Sequence, residues 1–350
     1  MRRRPFVRIV PVAIATLAVV GALAVVLSAG GHPVRSALGA LARGAAGSPD
    51  AFLSVTLVRA TPLILLGLAV AIAFRAGVLN IGADGQFLAG ATAGFVTGLV
   101  GRTWPPAVAV IAVLAAGAAG GASWAALPAA LKRRFGTLEV LSTLLLNFVA
   151  ALGVSYLVRG PLQEPTRVNP MTVSLEDTAR LPMIVPGTRL HLGVALAIAV
   201  AAALWWVLRA TAAGFRVRAV GAGAPAAASA GRVNTARVAT ACLLASGALA
   251  GLAGAGEVAG RTYALFENLS PGWGYTAIAV ALLARLHPLG VIGTGLFFGA
   301  LDAGAAAMQR DAGVSAEFVS IVVALVVLGA LAVEHAGTRT TEAALVGERA

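Results

Sequence analysis

Long apolar runs constrain this chain more than any other feature. Segments 9–28, 52–73, 78–100, 106–130, 139–157, 190–208, 236–258, 274–286, 288–307 and 316–333 each approach the length a helix needs to cross a bilayer, which is about 20 apolar residues. Water-soluble folds cannot hide that much apolar surface. The composition agrees: 59% of the residues are hydrophobic and 11% charged, whereas soluble domains carry about a quarter charged residues. Backbone polar groups in lipid must be satisfied by protein, and apolar runs of this length satisfy them as helices. The predicted class is therefore all-α, a polytopic membrane protein of about ten spanning helices. The eighth segment is short, and Arg285-Leu286-His287-Pro288 marks it and the ninth as either two spans or one broken hairpin.

Basic residues in the short loops orient such a bundle, because Lys and Arg stay on the cytoplasmic side. Arg2, Arg3, Arg4 and Arg8 hold the N-terminus inside. Alternate crossings then place Arg75, Lys132-Arg133-Arg134, Arg209, Arg216, Arg218, Arg232, Arg237 and Arg285 on that side, and both termini are predicted cytoplasmic. A basic stretch, an apolar run and Ser28-Ala29-Gly30 also read as a secretory signal. Further spans follow and the first run is long enough to anchor, so it is expected to remain as a span.

Several function classes are excluded. The net charge of +12 is scattered between apolar runs and forms no basic face. The one lysine, Lys132, follows Pro128-Ala129-Ala130-Leu131. Phosphate-cradling chemistry needs a glycine loop before its lysine, so no ATP site is expected here and no cofactor. Four dispersed histidines and one cysteine, Cys242, make no metal-ligand cluster. Neither G-x-S-x-G nor H-E-x-x-H occurs, and no catalytic residue is assigned.

What remains is a set of polar residues inside apolar runs. Such residues are expensive in lipid and face protein or a water-filled path. In Phe74-Arg75-Ala76-Gly77-Val78-Leu79-Asn80-Ile81-Gly82-Ala83-Asp84-Gly85-Gln86, Asn80 and Asp84 stand four apart with Gln86 on another face, as either a glycine-loosened helix start whose Asp84 meets the dipole or a partly unwound segment. This stretch reads as pore-lining or gating, near the cytoplasmic end. Glu139, Ser142, Thr143 and Asn147 share one helix face. Glu139 reads as solvated at the cytoplasmic end; Asn147 is the candidate for substrate. Glu257 closes the outer end of its span, Asp302 lies within the ninth, and His287 reads as an interfacial histidine. Gly90/Gly94/Gly98, Gly117/Gly121, Gly247/Gly251 and Gly295/Gly299 have the small-xxx-small spacing that lets helices approach closely. Between 209 and 237, Ala224-Pro225-Ala226-Ala227-Ala228-Ser229-Ala230-Gly231 predicts a cytoplasmic helix of about two turns. It is shaped either to dock in a partner's groove or to lie on anionic lipid.

Together these segments resemble the permease subunits of ABC importers of the branched-chain amino acid and simple-sugar type, nucleoside and simple-sugar permeases above all. The resemblance lies in Phe74 to Gln86, Glu139-Val140 with Ser142, Thr143, Leu146 and Asn147, Tyr156 to Pro161, Arg218 to Gly231, Ser246 to Gly254, and Ser270 to Leu283, in that order. Asp84 stands where that family usually has Glu, and Trp273 and Tyr275 depart from an aromatic pattern placed near the outer mouth.

The resemblance implies an importer with two permeases, a heterodimer, together with a cytoplasmic ABC ATPase subunit that binds the ATP and an external substrate-binding lipoprotein, in the plasma membrane of a prokaryote. It implies that Arg216, Arg218, Gly221, Pro225 and Gly231 couple to the ATPase. Asn80, Asp84, Gln86, Ser142, Thr143, Asn147, Glu257 and Tyr275 are the expected path or substrate residues. The expected organisation is a single transmembrane permease domain over 1–350, with a core at 51–333, a cytoplasmic tail at 334–350 and a coupling loop at 210–235. The expected cargo is a nucleoside or related simple sugar. Rivals are a same-class permease for ribose-like sugars or branched-chain amino acids, and an ion-coupled secondary transporter.

Overall fold

A computed structural model describes residues 21–22, 24–231, 233–315, 318–321 and 323–329. The labelled helices are α1 (Val34–Ala46), α2 (Leu57–Arg75), α3 (Ala83–Val100), α4 (Pro106–Phe135), α5 (Glu139–Arg159), α6 (Gly193–Ala210), α7 (Ala212–Ala222), α8 (Ala224–Gly231), α9 (Thr235–Glu257), α10 (Trp273–Leu283) and α11 (Pro288–Ala312). Local chemistry sets their ends. Pro106 opens α4, where a missing N–H costs nothing, and left-handed Gly136 closes it. The Thr211 hydroxyl accepts from the Gly214 N–H at 3.1 Å and the Asn234 side chain accepts from Arg237 N at 2.9 Å, capping α7 and α9.

Among the described residues six helices are long and apolar enough to cross a membrane: Pro49–Arg75, Pro106–Phe135, Glu139–Arg159, Gly193–Ala210, Thr235–Thr262 and Pro288–Ala312. Two predicted spans differ from expectation. Segment 78–100 begins as non-helical chain and becomes α3 only at Ala83. Segment 274–286 is the 11-residue α10, about 16 Å long and so about half of a 30 Å hydrocarbon core. The first predicted span lies largely outside the described residues, as do parts of the tenth.

The chain divides into two compact units. One joins the described residues before Leu57 to those from Ala300 onward. Its core gathers Leu27, Ala37, Ala40, Ala305, Met308, Val314 and Val319. A π-helical turn at Phe52–Thr56 belongs to it, held where the Thr56 hydroxyl donates to Ala45 O at 2.6 Å.

The other unit, Leu57–Gly299, is built on glycine. A β-carbon on Gly90 would lie 2.2 Å from the Gly251 Cα, one on Gly121 would lie 2.1 Å from the Gly247 carbonyl, and one on Gly117 would lie 2.2 Å from the Ala255 β-carbon. So α3, α4 and α9 meet backbone to backbone at the positions whose spacing marked them. Gly295 and Gly299 press likewise on Ile64 and Ala60 of α2. Without a hydrophobic drive between helices in lipid, such close packing is what holds them together. On α5 the stripe Thr143, Asn147, Ala150, Val154 and Val158 is buried. Its opposite stripe of Leu141, Leu145, Phe148, Leu152 and Tyr156 is exposed.

At one end the segment between α5 and α6 folds over the segment after α9. Thr172 N donates to Leu265 O at 2.9 Å, Leu175 N to Tyr263 O at 2.7 Å and Leu181 N to Ala259 O at 2.8 Å. Glu267 fastens it to the end of α5, receiving Arg159 Nε at 2.6 Å and the Ser155 hydroxyl.

Candidate functional site: two helix starts meeting inside the bundle

After α2 ends at Arg75, the chain turns at left-handed Gly77 and runs without helix to Gly82. Irregular backbone at membrane depth survives only when protein satisfies it. Here side chains do so. The Asn80 amide donates to Gln86 Oε1 and to Ser246 Oγ, both at 2.8 Å, and its oxygen accepts from Gly82 N at 2.9 Å. The Ser246 hydroxyl donates in turn to Ala69 O at 2.6 Å. Asn147 reaches across from α5, accepting from Gly85 N at 2.8 Å and donating to Ile81 O at 2.9 Å. Leu79 N donates to Glu139 Oε1 at 3.3 Å, and Lys132 pairs with the same carboxylate.

The stretch is unwound before a helix start at Ala83, and the four-residue spacing of Asn80 and Asp84 brings no contact between them. Four-residue spacing brings side chains together only on a helix, and the helix starts at Ala83. Asn80 pairs with Gln86 instead, and both are buried, at exposures of 0% and 1%. Glu139 is also not simply solvated: it holds the unwound segment to the α4–α5 corner.

Asp84 points to α10. Its Oδ1 accepts the Ser270 hydroxyl at 2.6 Å and Gly274 N at 2.9 Å, while Ser270 Oγ accepts Trp273 N at 3.2 Å. A β-carbon on Gly274 would lie 2.3 Å from Asp84 N, so only glycine lets the starts of α3 and α10 approach this closely. Both starts carry the positive end of a helix dipole, and one carboxylate serves both. Trp273 stacks edge-on against Phe87 at 5.9 Å and lies under the Arg261 guanidinium at 5.3 Å. Asn147 completes the group by donating to the Tyr275 hydroxyl at 3.0 Å.

The start of α10 therefore sits inside the bundle, against Asn147 and Asp84. A rise of 1.5 Å per residue puts Asn147 about 12 Å and Ser246 about 16 Å from the starts of their helices. The unwound stretch likewise reaches deeper than its sequence position suggested.

The remaining candidates fall elsewhere. Ser142 Oγ donates to Glu139 O at 3.1 Å and Thr143 Oγ1 to the same carbonyl at 2.7 Å, both within their own helix. Thr143 still backs the site, since a β-carbon on Gly82 would lie 2.9 Å from its own. Glu257, 2% exposed, pairs with Arg261 on the next turn. Arg216, Arg218 and Gly221 lie on α7, and Pro225 and Gly231 on α8. A β-carbon on Gly221 would lie 1.9 Å from Arg75 O, so α7 sits directly on the end of α2. Beside it a cavity of about 380 Å³ is lined by Gly77, Lys132, Glu139, Ala224 and Thr235. Sequence reasoning missed Ser246 and Ser270 as site residues. Ser246 carried a signal, as a lone hydroxyl within a Gly/Ala run.

The model for the branched-chain amino acid transport system / permease component family matches residues 52–331. The chain belongs to that family. It is similar to a glucose ABC transporter permease protein of Haloferax volcanii, 39% identical over 79% of this chain and 75% of the relative. It is similar to a guanosine ABC transporter permease protein of Bacillus subtilis, 36% identical over 88% of each chain. A second guanosine ABC transporter permease protein of that organism is 30% identical over 70% of this chain and 78% of the relative. No solved structure matches. The protein is a multi-pass membrane protein and a permease subunit of an ABC importer. The starts of α3 and α10 and their polar junction lie inside the helical bundle of this permease.

Proposed function

We propose that this permease translocates a neutral, hydroxyl-rich solute, a nucleoside or simple sugar, by alternating access. The observation that carries the cargo class is the junction itself. The Tyr275 hydroxyl, held by Asn147, keeps its own proton and is suited to a sugar hydroxyl, while Asn147 and Ser270 are engaged within the junction. The one acid among them, Asp84, is already engaged by Ser270 and Gly274. The named activities of the relatives, glucose and guanosine, belong to the same chemical class. A proton- or ion-coupled carrier would want an unengaged acid at depth, and Asp84 does not fit that part.

The energy comes from a separate ATPase subunit that docks on α7 and α8 and moves the end of α2 through the Gly221 contact. The basic end, with Arg75, Lys132, Arg133, Arg134, Arg216, Arg218 and Arg237, faces the cytoplasm of a prokaryotic cell. The external substrate-binding lipoprotein delivers at the opposite end, over the folded 160–192 segment. A second, non-identical permease completes the path, since Tyr275 is 39% exposed and its hydroxyl needs a protein cover in lipid. The two guanosine permeases of one organism fit such a pair.

The test is uptake of radiolabelled guanosine, glucose and ribose in cells with and without the gene, with the partner ATPase active or inactivated. ATPase-dependent loss of guanosine or glucose uptake is the expected result. Uptake that survives ATPase inactivation and collapses with the proton gradient overturns it.

A further inference from the structure

Away from the junction, a cavity of about 240 Å³ at the basic end is lined by Arg75, Trp205, Leu208, Arg209, Arg218, His287 and Pro288. Four elements supply the cationic and donor groups: Arg75 ends α2, Arg209 sits in the last turn of α6, Arg218 lies on α7, and His287 precedes α11. No lining residue is acidic. Neither Arg75 nor Arg218 has a hydrogen bond or ion pair among the described residues, and Arg209 has only the face of Trp205 at 5.4 Å. His287 Nδ1 accepts from Gly290 N at 3.3 Å, so Nε2 is the nitrogen left to carry a proton. Three guanidinium groups and one imidazole donor thus converge on one small space that the protein leaves without a counter-charge.

We propose that this space is a binding site for the phosphate of an anionic phospholipid headgroup. Planar guanidinium forks match phosphate oxygens in geometry and charge. The other lining groups select the lipid over phosphate in solution. Trp205, Leu208 and Pro288 are apolar, and the last turn of a spanning helix lies at headgroup level, where tryptophan gathers. Basic pockets between spanning helices on the cytoplasmic side are suited to such headgroups. A bound phosphate would tie α2, α6, α7 and the start of α11 together next to Gly77, where the chain leaves helix.

The full-length chain, purified in detergent, is titrated with dioleoylphosphatidylglycerol, dioleoylphosphatidylcholine or inorganic phosphate, and bound lipid is counted by native mass spectrometry. One retained phosphatidylglycerol, preferred over phosphatidylcholine and unmoved by millimolar phosphate, is expected. Arg75→Gln and Arg209→Gln should each weaken it about fivefold. Arg134→Gln, of equal charge change but outside the cavity, should not. Wild-type protein without preference for phosphatidylglycerol, or equal loss in Arg134→Gln, overturns the proposal. Displacement by inorganic phosphate would make it a free-anion site, and would overturn the lipid assignment. So would lipid binding that survives Arg209→Gln while association with the ATPase subunit is lost.

Discussion

Asp84 is one carboxylate set between two helix starts, and that position fixes what its replacement should do. Asp84→Ala removes the acceptor for Ser270 and Gly274 and leaves a buried N–H unpaired, at a cost of about 1–3 kcal/mol. Asp84→Asn keeps an oxygen in place and loses only the charge at the dipole ends, at about 0.3–2 kcal/mol. The expected order of thermal unfolding midpoints in detergent is wild type, then Asn, then Ala; Ala equal to wild type would show that Asp84 does not cap α10. Glu267 gives a pH dependence. Hydrogen bonds from Arg159 and then Ser155 hold its carboxyl down to about 2, from an ordinary 4.5. A depressed acid stabilises above its unfolded value, and the contribution is lost as pH falls through the folded one. The difference in unfolding midpoint between wild type and Glu267→Gln should therefore hold steady from pH 7 to about 5 and shrink below about 4.5. A difference that grows on acidification would contradict the contact.

At the scale of elements, the glycine contacts and the α7–α2 contact make separate claims. Gly90→Ala has nowhere to put its methyl, whereas a β-carbon on Gly293 meets nothing within 4 Å. Gly90→Ala should cost about 1–3 kcal/mol as overpacking, while Gly293→Ala should be neutral or gain about 1 kcal/mol from helix propensity. Midpoints measured side by side decide it. Gly221→Ala must push α7 away from Arg75 O. We expect normal membrane insertion, at least a tenfold fall in uptake, about 1.4 kcal/mol or more of lost coupling, and ATP hydrolysis no longer stimulated by substrate. Unchanged uptake would rule out the α7–α2 contact as the coupling route.

How much of this was legible follows the physics of each element. Polar residues stand out in apolar runs, so Asn80, Asp84, Gln86 and Asn147 announced themselves, as did the glycines at fixed spacing. Their partners did not. Whether Asn80 meets Asp84 or Gln86 depends on the residue at which helix begins, and no local pattern declared Ala83. The depth of Ser270 and Tyr275 depends on α10 being a half-helix, which its apolar composition does not reveal.

For the whole molecule, the proposal that its basic end is cytoplasmic can be checked on the intact chain. Cys242 is buried and the sole cysteine, so Cys242→Ala leaves a clean background. In that background Val168→Cys should react with an impermeant maleimide in whole cells, and Arg134→Cys only after lysis. The reverse pattern would invert the topology. Alternating access also demands that something in Leu57–Gly299 stay fixed while something else moves. Where α3, α4 and α9 meet, main chain touches main chain, and hardly any side chain stands between them. Such a joint has no rotamers to exchange and almost no side-chain entropy to gain by loosening. It serves as a bearing rather than a spring. The transport cycle must then draw its compliance from segment 76–82 and the break at Gly223, where the backbone itself can turn.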